Sequence, residues 1–229
     1  MYKGVIFDLD GTLVNSIEDI KNSLNRVLKQ NGFKEKSLED YTNNIGQGLY
    51  QLTIDSLDNK ESKEVVDKLY AGLLKDYASN YLIDTKPYDG MLDLLNELVN
   101  KNILIGVNSN KKDEFTKDIV NTLFKDIPFI LILGDRENIN KKPDPYSANE
   151  IIDCMKLAKS EVVYIGDTDH DMQTAVNAEI DSIGVTWGYR SKEVLKSSGA
   201  KYTVDSVEEL KDLLTWGEKW VFFLIKIHC

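Results

Sequence analysis

Cysteine is almost missing from this chain. Its 229 residues include two, Cys154 and Cys229, far apart and with neither a Cys-x-x-Cys pair nor metal-type spacing. That pattern argues against a disulfide framework or a thiolate metal site and predicts a reduced, cytoplasmic setting. A chain of this length buries a core without covalent staples. Long apolar runs are missing too. None approaches the ~18 residues of a membrane helix, and Met1 to Asp10 show no basic segment leading into an apolar one, so neither membrane insertion nor secretion is expected. Positive charge is in deficit, with 28 Lys and Arg against 38 Asp and Glu and a formal charge of −10. No basic stripe interrupts that balance. Nucleic acid, which demands a concentrated positive face, is therefore not an expected partner. The two histidines promise little: His170 sits among acids and reads as solvated or supporting, and His228 has no context. There is no internal repeat and no low-complexity linker.

What is present is an alternation of short apolar runs with amphipathic stretches. Gly4 to Phe7, Ile103 to Val107, Phe129 to Leu133, Val162 to Ile165 and Ser182 to Val185 read as buried strands. Between them Leu92, Leu95, Leu98 and Val99 share a helical face, as do Phe115, Ile119 and Leu123, and Ala148, Ile151, Ile152 and Met155. Strands alternating with single helices predict an α/β fold, a parallel sheet with helices on both sides. From Val14 to Pro87 the rhythm breaks into helical patterns without a convincing strand. Ser16 with Asp19 looks like a capping box opening one helix, and a second is expected from Ser62 to Tyr81. The expected organisation is a core of residues 1–13 and 88–215, a helical insertion of 14–87, and an apolar extension of 216–229. That extension, with Trp220 to Ile225 at its centre, is too short to span a bilayer and is expected to pack on the core or on a second subunit. The sequence leaves monomer and homodimer both open.

In open parallel sheets ligands collect at the carboxyl ends of strands. Here the first run ends in Asp8 and Asp10, the second in Ser109 and Asn110, the third leads to Lys141-Lys142-Pro143-Asp144-Pro145, and the fourth ends in Gly166-Asp167 with Asp171 four residues on. Asp-x-Asp-Gly alone is most often only a turn. Matched by Gly-Asp-x-x-x-Asp at another strand end, it becomes a set of carboxylates that would repel one another unless a hard divalent cation lay among them, and Mg²⁺ suits such oxygen donors. An acidic chain that handles phosphates must focus positive charge locally, and a metal ion with one or two lysines does so.

These residues, Asp8-Leu9-Asp10-Gly11-Thr12-Leu13, Ser109 with Asn110, Lys142 in Lys-Pro-Asp-Pro, and Gly166-Asp167 with Asp171, resemble the four ordered motifs of the haloacid dehalogenase-like hydrolases over about residues 1 to 214. The resemblance implies a Rossmann-like core with a helical cap inserted after the first strand. It further implies Asp8 as a nucleophile that becomes an aspartyl-phosphate and Asp10 as general acid and base. Mg²⁺ would be held by Asp8, the Asp10 carbonyl and Asp167, with Asp171 in support. Ser109, Asn110 and Lys142 would hold the substrate phosphate. An acid at Asp10 favours phosphatase over dehalogenase chemistry, because an alcohol needs a proton to leave and a halide does not. The insertion resembles the cap of phosphoglycolate phosphatase-like members, with Gly46 and Gly48 in a cap element that would touch the substrate, and Thr186-Trp187-Gly188-Tyr189 resembles that group's later pattern. One departure is Asn15-Ser16 where Asp-Ser is usual. A small phosphorylated metabolite, 2-phosphoglycolate first, is the expected substrate. Pyrophosphate, nucleotides, sugar phosphates, a β-phosphoglucomutase-like reaction and a non-catalytic phosphate or metal sensor are the alternatives.

Overall fold

A computed structural model describes residues 1–216. The chain runs β1 (Gly4–Phe7), β2 (Val14–Asn15), α1 (Ile17–Gln30), α2 (Leu38–Asn44), α3 (Leu49–Ser56), α4 (Lys63–Tyr77), β3 (Lys86–Pro87), α5 (Met91–Asn100), β4 (Leu104–Lys112), α6 (Asp113–Leu123), β5 (Phe129–Asp135), α7 (Tyr146–Met155), β6 (Val162–Gly166), α8 (Asp169–Ala178), β7 (Asp181–Val185), α9 (Lys192–Ser197), β8 (Tyr202–Val204) and α10 (Val207–Trp216). Apart from Trp216, which ends α10, the apolar extension lies outside the described residues.

Six strands form one sheet in the order β5-β4-β1-β6-β7-β8, and every pairing in it is parallel. The fold is α/β, as the alternation predicts. Pleating sends Val5 and Phe7 to one face and Ile6 to the other, and each face has its own apolar layer: Leu95, Leu98, Ile119 and Leu210 on the first, Ala148, Ile151 and Ala175 on the second. Covered on both sides, β1 and β6 are buried at every residue, which is why they read as unbroken apolar runs. Phe7 pairs with Val107 on one side and Ile165 on the other, so the residues that follow these three emerge side by side at one edge of the sheet. From β1 the chain builds outward on one flank, then crosses to the other at β6. The crevice at such a reversal is where a sheet of this kind binds ligands.

Helices α1 to α4 pack on one another around Leu24, Leu28, Leu52, Leu69, Leu73 and Tyr77, an apolar cluster separate from those of the sheet. They leave and rejoin the sheet through a two-stranded antiparallel ribbon, β2 against β3, in which Val14 faces Pro87 and Asn15 faces Lys86. Asp19 braces that junction. Buried in α1, its carboxylate accepts from the Asp84 and Thr85 N–H groups at 3.0 and 2.8 Å and from Thr85 Oγ1 at 2.7 Å. The capping box expected of Ser16 and Asp19 is thus not formed. Ser16 makes no side-chain cap and turns its hydroxyl to Asp10, because both side chains meet stronger partners from distant sequence.

Other departures are local. The helix expected from Ser62 to Tyr81 stops at Tyr77, where Asn80 Nδ2 takes up the Asp76 carbonyl at 2.7 Å. Strand β4 does not end at Val107 but continues through Ser109 and Asn110 to Lys112, with a shift in register between Asn108 and Lys112. Strand β8, three residues long, is too short to show a period in sequence.

Candidate active site

The site grows from the turn after β1. Asp8 prolongs the strand, its N–H donating to the Ile165 carbonyl at 2.9 Å, and its side chain is almost wholly buried. The Leu9 carbonyl then accepts from Leu13 N at 2.9 Å and Val14 N at 3.1 Å, folding the chain back on itself. Gly11 makes this turn with φ +89°, and a Cβ there would stand 2.3 Å from an Asp167 oxygen. Backbone conformation and close approach both require glycine.

The fourth motif is ordered by its own polar groups. Thr168 caps α8 by accepting from the Asp171 N–H, and Asp171 Oδ2 in return accepts from Thr168 N at 2.9 Å and Thr168 Oγ1 at 2.6 Å. That leaves Asp171 Oδ1 to accept from Lys142 Nζ at 2.6 Å. Asp167 accepts from Thr12 Oγ1 at 2.9 Å and from the Tyr189 N–H at 2.8 Å. Lys142 is buried and also donates to Asp8 Oδ1 at 2.7 Å. Its backbone is gripped by the Asn110 side chain, which accepts from Lys142 N at 2.9 Å and donates to Lys142 O at 3.3 Å. Lys141 turns away to Asp135 at 2.9 Å, so the two adjacent lysines do different things.

Asp8, Asp167 and Asp171 bring carboxylate oxygens within 4.8 Å of one another, all three buried. A single lysine faces them. Burial first, then Asp171 and Asp10, push the Asp8 carboxyl up to about 7 despite the opposing pull of Lys142. Burial, then Asp8 and Asp171, carry Asp167 well above the usual carboxylate range. A cluster that resists ionisation through burial and mutual repulsion, with oxygen as its only donor type, fits a hard divalent cation.

Asp10 is not part of that cluster through its carboxylate. Instead it accepts from the Ser16 hydroxyl and from Lys111 Nζ, at 2.9 and 3.1 Å to its two oxygens. Lys111 is buried, with its ammonium 4.9 Å from the centre of the Tyr77 ring of α4. Burial alone would lower its pKa, but Asp10 and Tyr77 outweigh it, so the amine is held charged, above the ordinary lysine value. Sequence reasoning passed Lys111 over. The one available signal was its place two residues beyond Ser109, on the strand that carries the second motif.

Asp8, Asp10, Ser109, Asn110, Lys111, Lys142 and Tyr189 enclose a cavity of about 30 Å³, closed from the helical side by Ile45 and Gly46. The closing loop is pinned from the sheet side. Asn110 Nδ2 donates to the Gly46 carbonyl at 2.9 Å, and Arg190 donates to the carbonyls of Thr42 and Ile45 at 3.0 and 2.6 Å. Gly48 starts α3 with φ +87°, and a Cβ there would meet the Asn110 carbonyl at 2.8 Å. His170 stands to one side, its Nδ1 3.4 Å from Asp169.

Comparison with known proteins agrees with this geometry. Residues 5–185 match the family model of haloacid dehalogenase-like hydrolases. A phosphoglycolate phosphatase of Aquifex aeolicus is 32% identical over 185 residues, covering 81% of this chain and 85% of that protein. Another, from Vibrio parahaemolyticus, is 28% identical across 93% of this chain and 96% of its own. Among solved structures, a proposed phosphoglycolate phosphatase from Lactobacillus delbrueckii subsp. bulgaricus superposes with a TM-score of 0.87 at 31% identity, covering 92% of this chain and 97% of that one. The sheet, the convergent motifs and these relatives together make the chain an enzyme, a hydrolase of the haloacid dehalogenase-like family.

Proposed function

We propose that this enzyme is a Mg²⁺-dependent phosphomonoesterase that acts through a phosphorylated Asp8 on a small phosphorylated metabolite, 2-phosphoglycolate first among them. In this reading residues 1–13 and 88–215 are the catalytic core and 14–87 the cap. The observation that carries it is the division of labour between two neighbouring acids: Asp8 sits in the buried carboxylate cluster with Lys142, while Asp10 is held apart by Ser16 and Lys111.

Asp8, Asp167 and the Asp10 carbonyl, with Asp171 in support, would hold the metal. Bound there, Mg²⁺ supplies the positive charge that lets carboxylates and a phosphate dianion share one site. An Asp8 oxygen attacks phosphorus as the bond to the leaving oxygen breaks, and Asp10 gives that oxygen its proton. Asp10, now ionised, takes a proton from water, which attacks the aspartyl-phosphate, frees inorganic phosphate and restores Asp8. Ser109, Asn110 and Lys142 would steady the phosphoryl oxygens, Asn110 through the lysine backbone it grips. The small cavity behind Ile45 and Gly46 favours a short leaving group, and the phosphoglycolate phosphatases that this chain resembles point to the same substrate class.

The test is kcat/KM for 2-phosphoglycolate, pyrophosphate, glucose phosphates and nucleoside monophosphates in parallel, each with Mg²⁺ and with EDTA. Phosphoglycolate should lead, and chelation should abolish turnover. A preference for pyrophosphate or nucleotides would remove the substrate, full activity in excess chelator the metal, and interconversion of sugar phosphates without phosphate release the hydrolytic reading.

A further inference from the structure

Two buried lysines face the catalytic cavity, and they serve opposite halves of it. Lys142 is engaged with Asp8 and Asp171, on the side of the nucleophile. Lys111 is engaged with Asp10, on the side where the leaving group must lie. Its side chain is 1% exposed. Taking an ammonium out of water is costly, and Asp10 with the Tyr77 ring offsets that cost at the cavity wall. Beyond holding Asp10, this lysine has no part in the nucleophile, the phosphate ligands or the metal ligands.

We propose that Lys111 is the anchor for a carboxylate on the leaving group, which makes the substrates phosphate monoesters of short 2-hydroxy acids. The inference rests on the phosphatase reading above and adds a residue to it. Its geometry follows from the size of the molecule. To pass its proton, Asp10 must come within about 3 Å of the ester oxygen, and Lys111 Nζ lies 2.9 Å from Asp10. In 2-phosphoglycolate a single methylene separates the ester oxygen from the carboxylate, so that carboxylate also falls a few ångströms from Asp10, where the ammonium is. An ammonium carries three donors and can keep Asp10 while receiving a second anion. The Tyr77 ring lies against the ammonium, and Ile45 and Gly46 close the space beyond, so a long or bulky leaving group has nowhere to extend. A cationic leaving group would be repelled by Lys111, and a neutral one would leave it with Asp10 alone.

The experiment compares kcat/KM for 2-phosphoglycolate, ethyl phosphate and phosphoethanolamine, all with Mg²⁺, in the wild type and in Lys111→Met, Lys111→Gln and Lys111→Arg. Ethyl phosphate replaces the carboxylate by a methyl group and otherwise keeps the chain. The wild type should prefer phosphoglycolate and disfavour phosphoethanolamine. Lys111→Met and Lys111→Gln should lose roughly a hundred-fold on phosphoglycolate but under about ten-fold on ethyl phosphate, in line with the loss of one charged contact to substrate. Lys111→Arg should keep part of the preference, and circular dichroism identifies which variants are folded. Equal losses on both substrates would mean that Lys111 only positions Asp10, and would overturn the proposal. A preference that survives in Lys111→Met or Lys111→Gln would overturn it while sparing the phosphoglycolate reading. A wild type indifferent between phosphoglycolate and ethyl phosphate would overturn both.

Discussion

Asp8 and Asp10 stand two positions apart in the chain and line one cavity, yet their side chains have different partners. Asp8 meets Lys142 and two further carboxylates, while Asp10 meets Ser16 and Lys111. If Asp8 is the nucleophile proposed above, Asp8→Asn keeps the shape but removes it, and kcat should fall by at least about 10⁴ with the fold intact by circular dichroism. Asp10→Asn should cost about 10² to 10⁴ on phosphoglycolate and much less on p-nitrophenyl phosphate, whose leaving group departs without a proton. Equal losses on the two substrates would contradict an acid role for Asp10. At this scale the grouping was legible in sequence, because each motif is a local pattern at a strand end: Asp8, Asp167, Asp171 and Lys142 do converge, and Lys142 rather than Lys141 points inward. Lys111 was missed because nothing local marks a lysine as buried. Its partners, Asp10 and Tyr77, are remote in sequence.

Among the elements, α2 shows how a short helix becomes part of a site. Its last carbonyls have no partner within the helix, and Arg190, which follows β7, supplies donors to Thr42 O and Ile45 O. A cation at a helix carboxyl end is favourable by about 0.3–1 kcal/mol, a small sum for stability but well placed to hold the Gly46 loop against the sheet. Arg190→Ala should therefore leave the melting temperature nearly unchanged while lowering kcat/KM for phosphoglycolate about ten-fold, roughly 1.4 kcal/mol of closure. Proteolysis within residues 44–48 should quicken in the same variant. Unaltered kinetics would show that the loop closes without this contact. Central strands were legible as unbroken apolar runs, and long helices by the fixed period of their apolar faces. The two-residue strands β2 and β3 were not, since their pairing is decided by the junction they form. The Ser16–Asp19 capping box was misread for a related reason: local propensity lost to tertiary partners, Asp10 for the serine and Asp84 with Thr85 for the aspartate.

The whole molecule carries a formal charge of −10 and still assembles acids at its centre, so its stability should depend on whatever relieves them. The sign follows from proton counting. The Asp8 carboxyl stands at about 7 in the folded protein against an ordinary 3.8. Between those values the folded chain keeps a proton that the unfolded chain has released, so stability without metal is highest near the low end and falls as pH rises through the window. Asp167 is shifted in the same direction and adds to the fall. Lys142, raised above its ordinary 10.5 and charged in both states throughout this range, contributes a constant amount. A divalent cation among Asp8, Asp167 and Asp171 would oppose the penalty most where the carboxylates are ionised, and at low pH it would have to displace their protons. The rise in melting temperature on adding Mg²⁺ should accordingly be larger at pH 8 than at pH 5.5, and Asp167→Asn should both stabilise the metal-free protein at pH 8 and shrink that rise. Thermal melts at the two pH values, with EDTA or with Mg²⁺, make the measurement. A Mg²⁺ effect equal at both, or greater at pH 5.5, would show that the buried carboxylates are not where the cation acts.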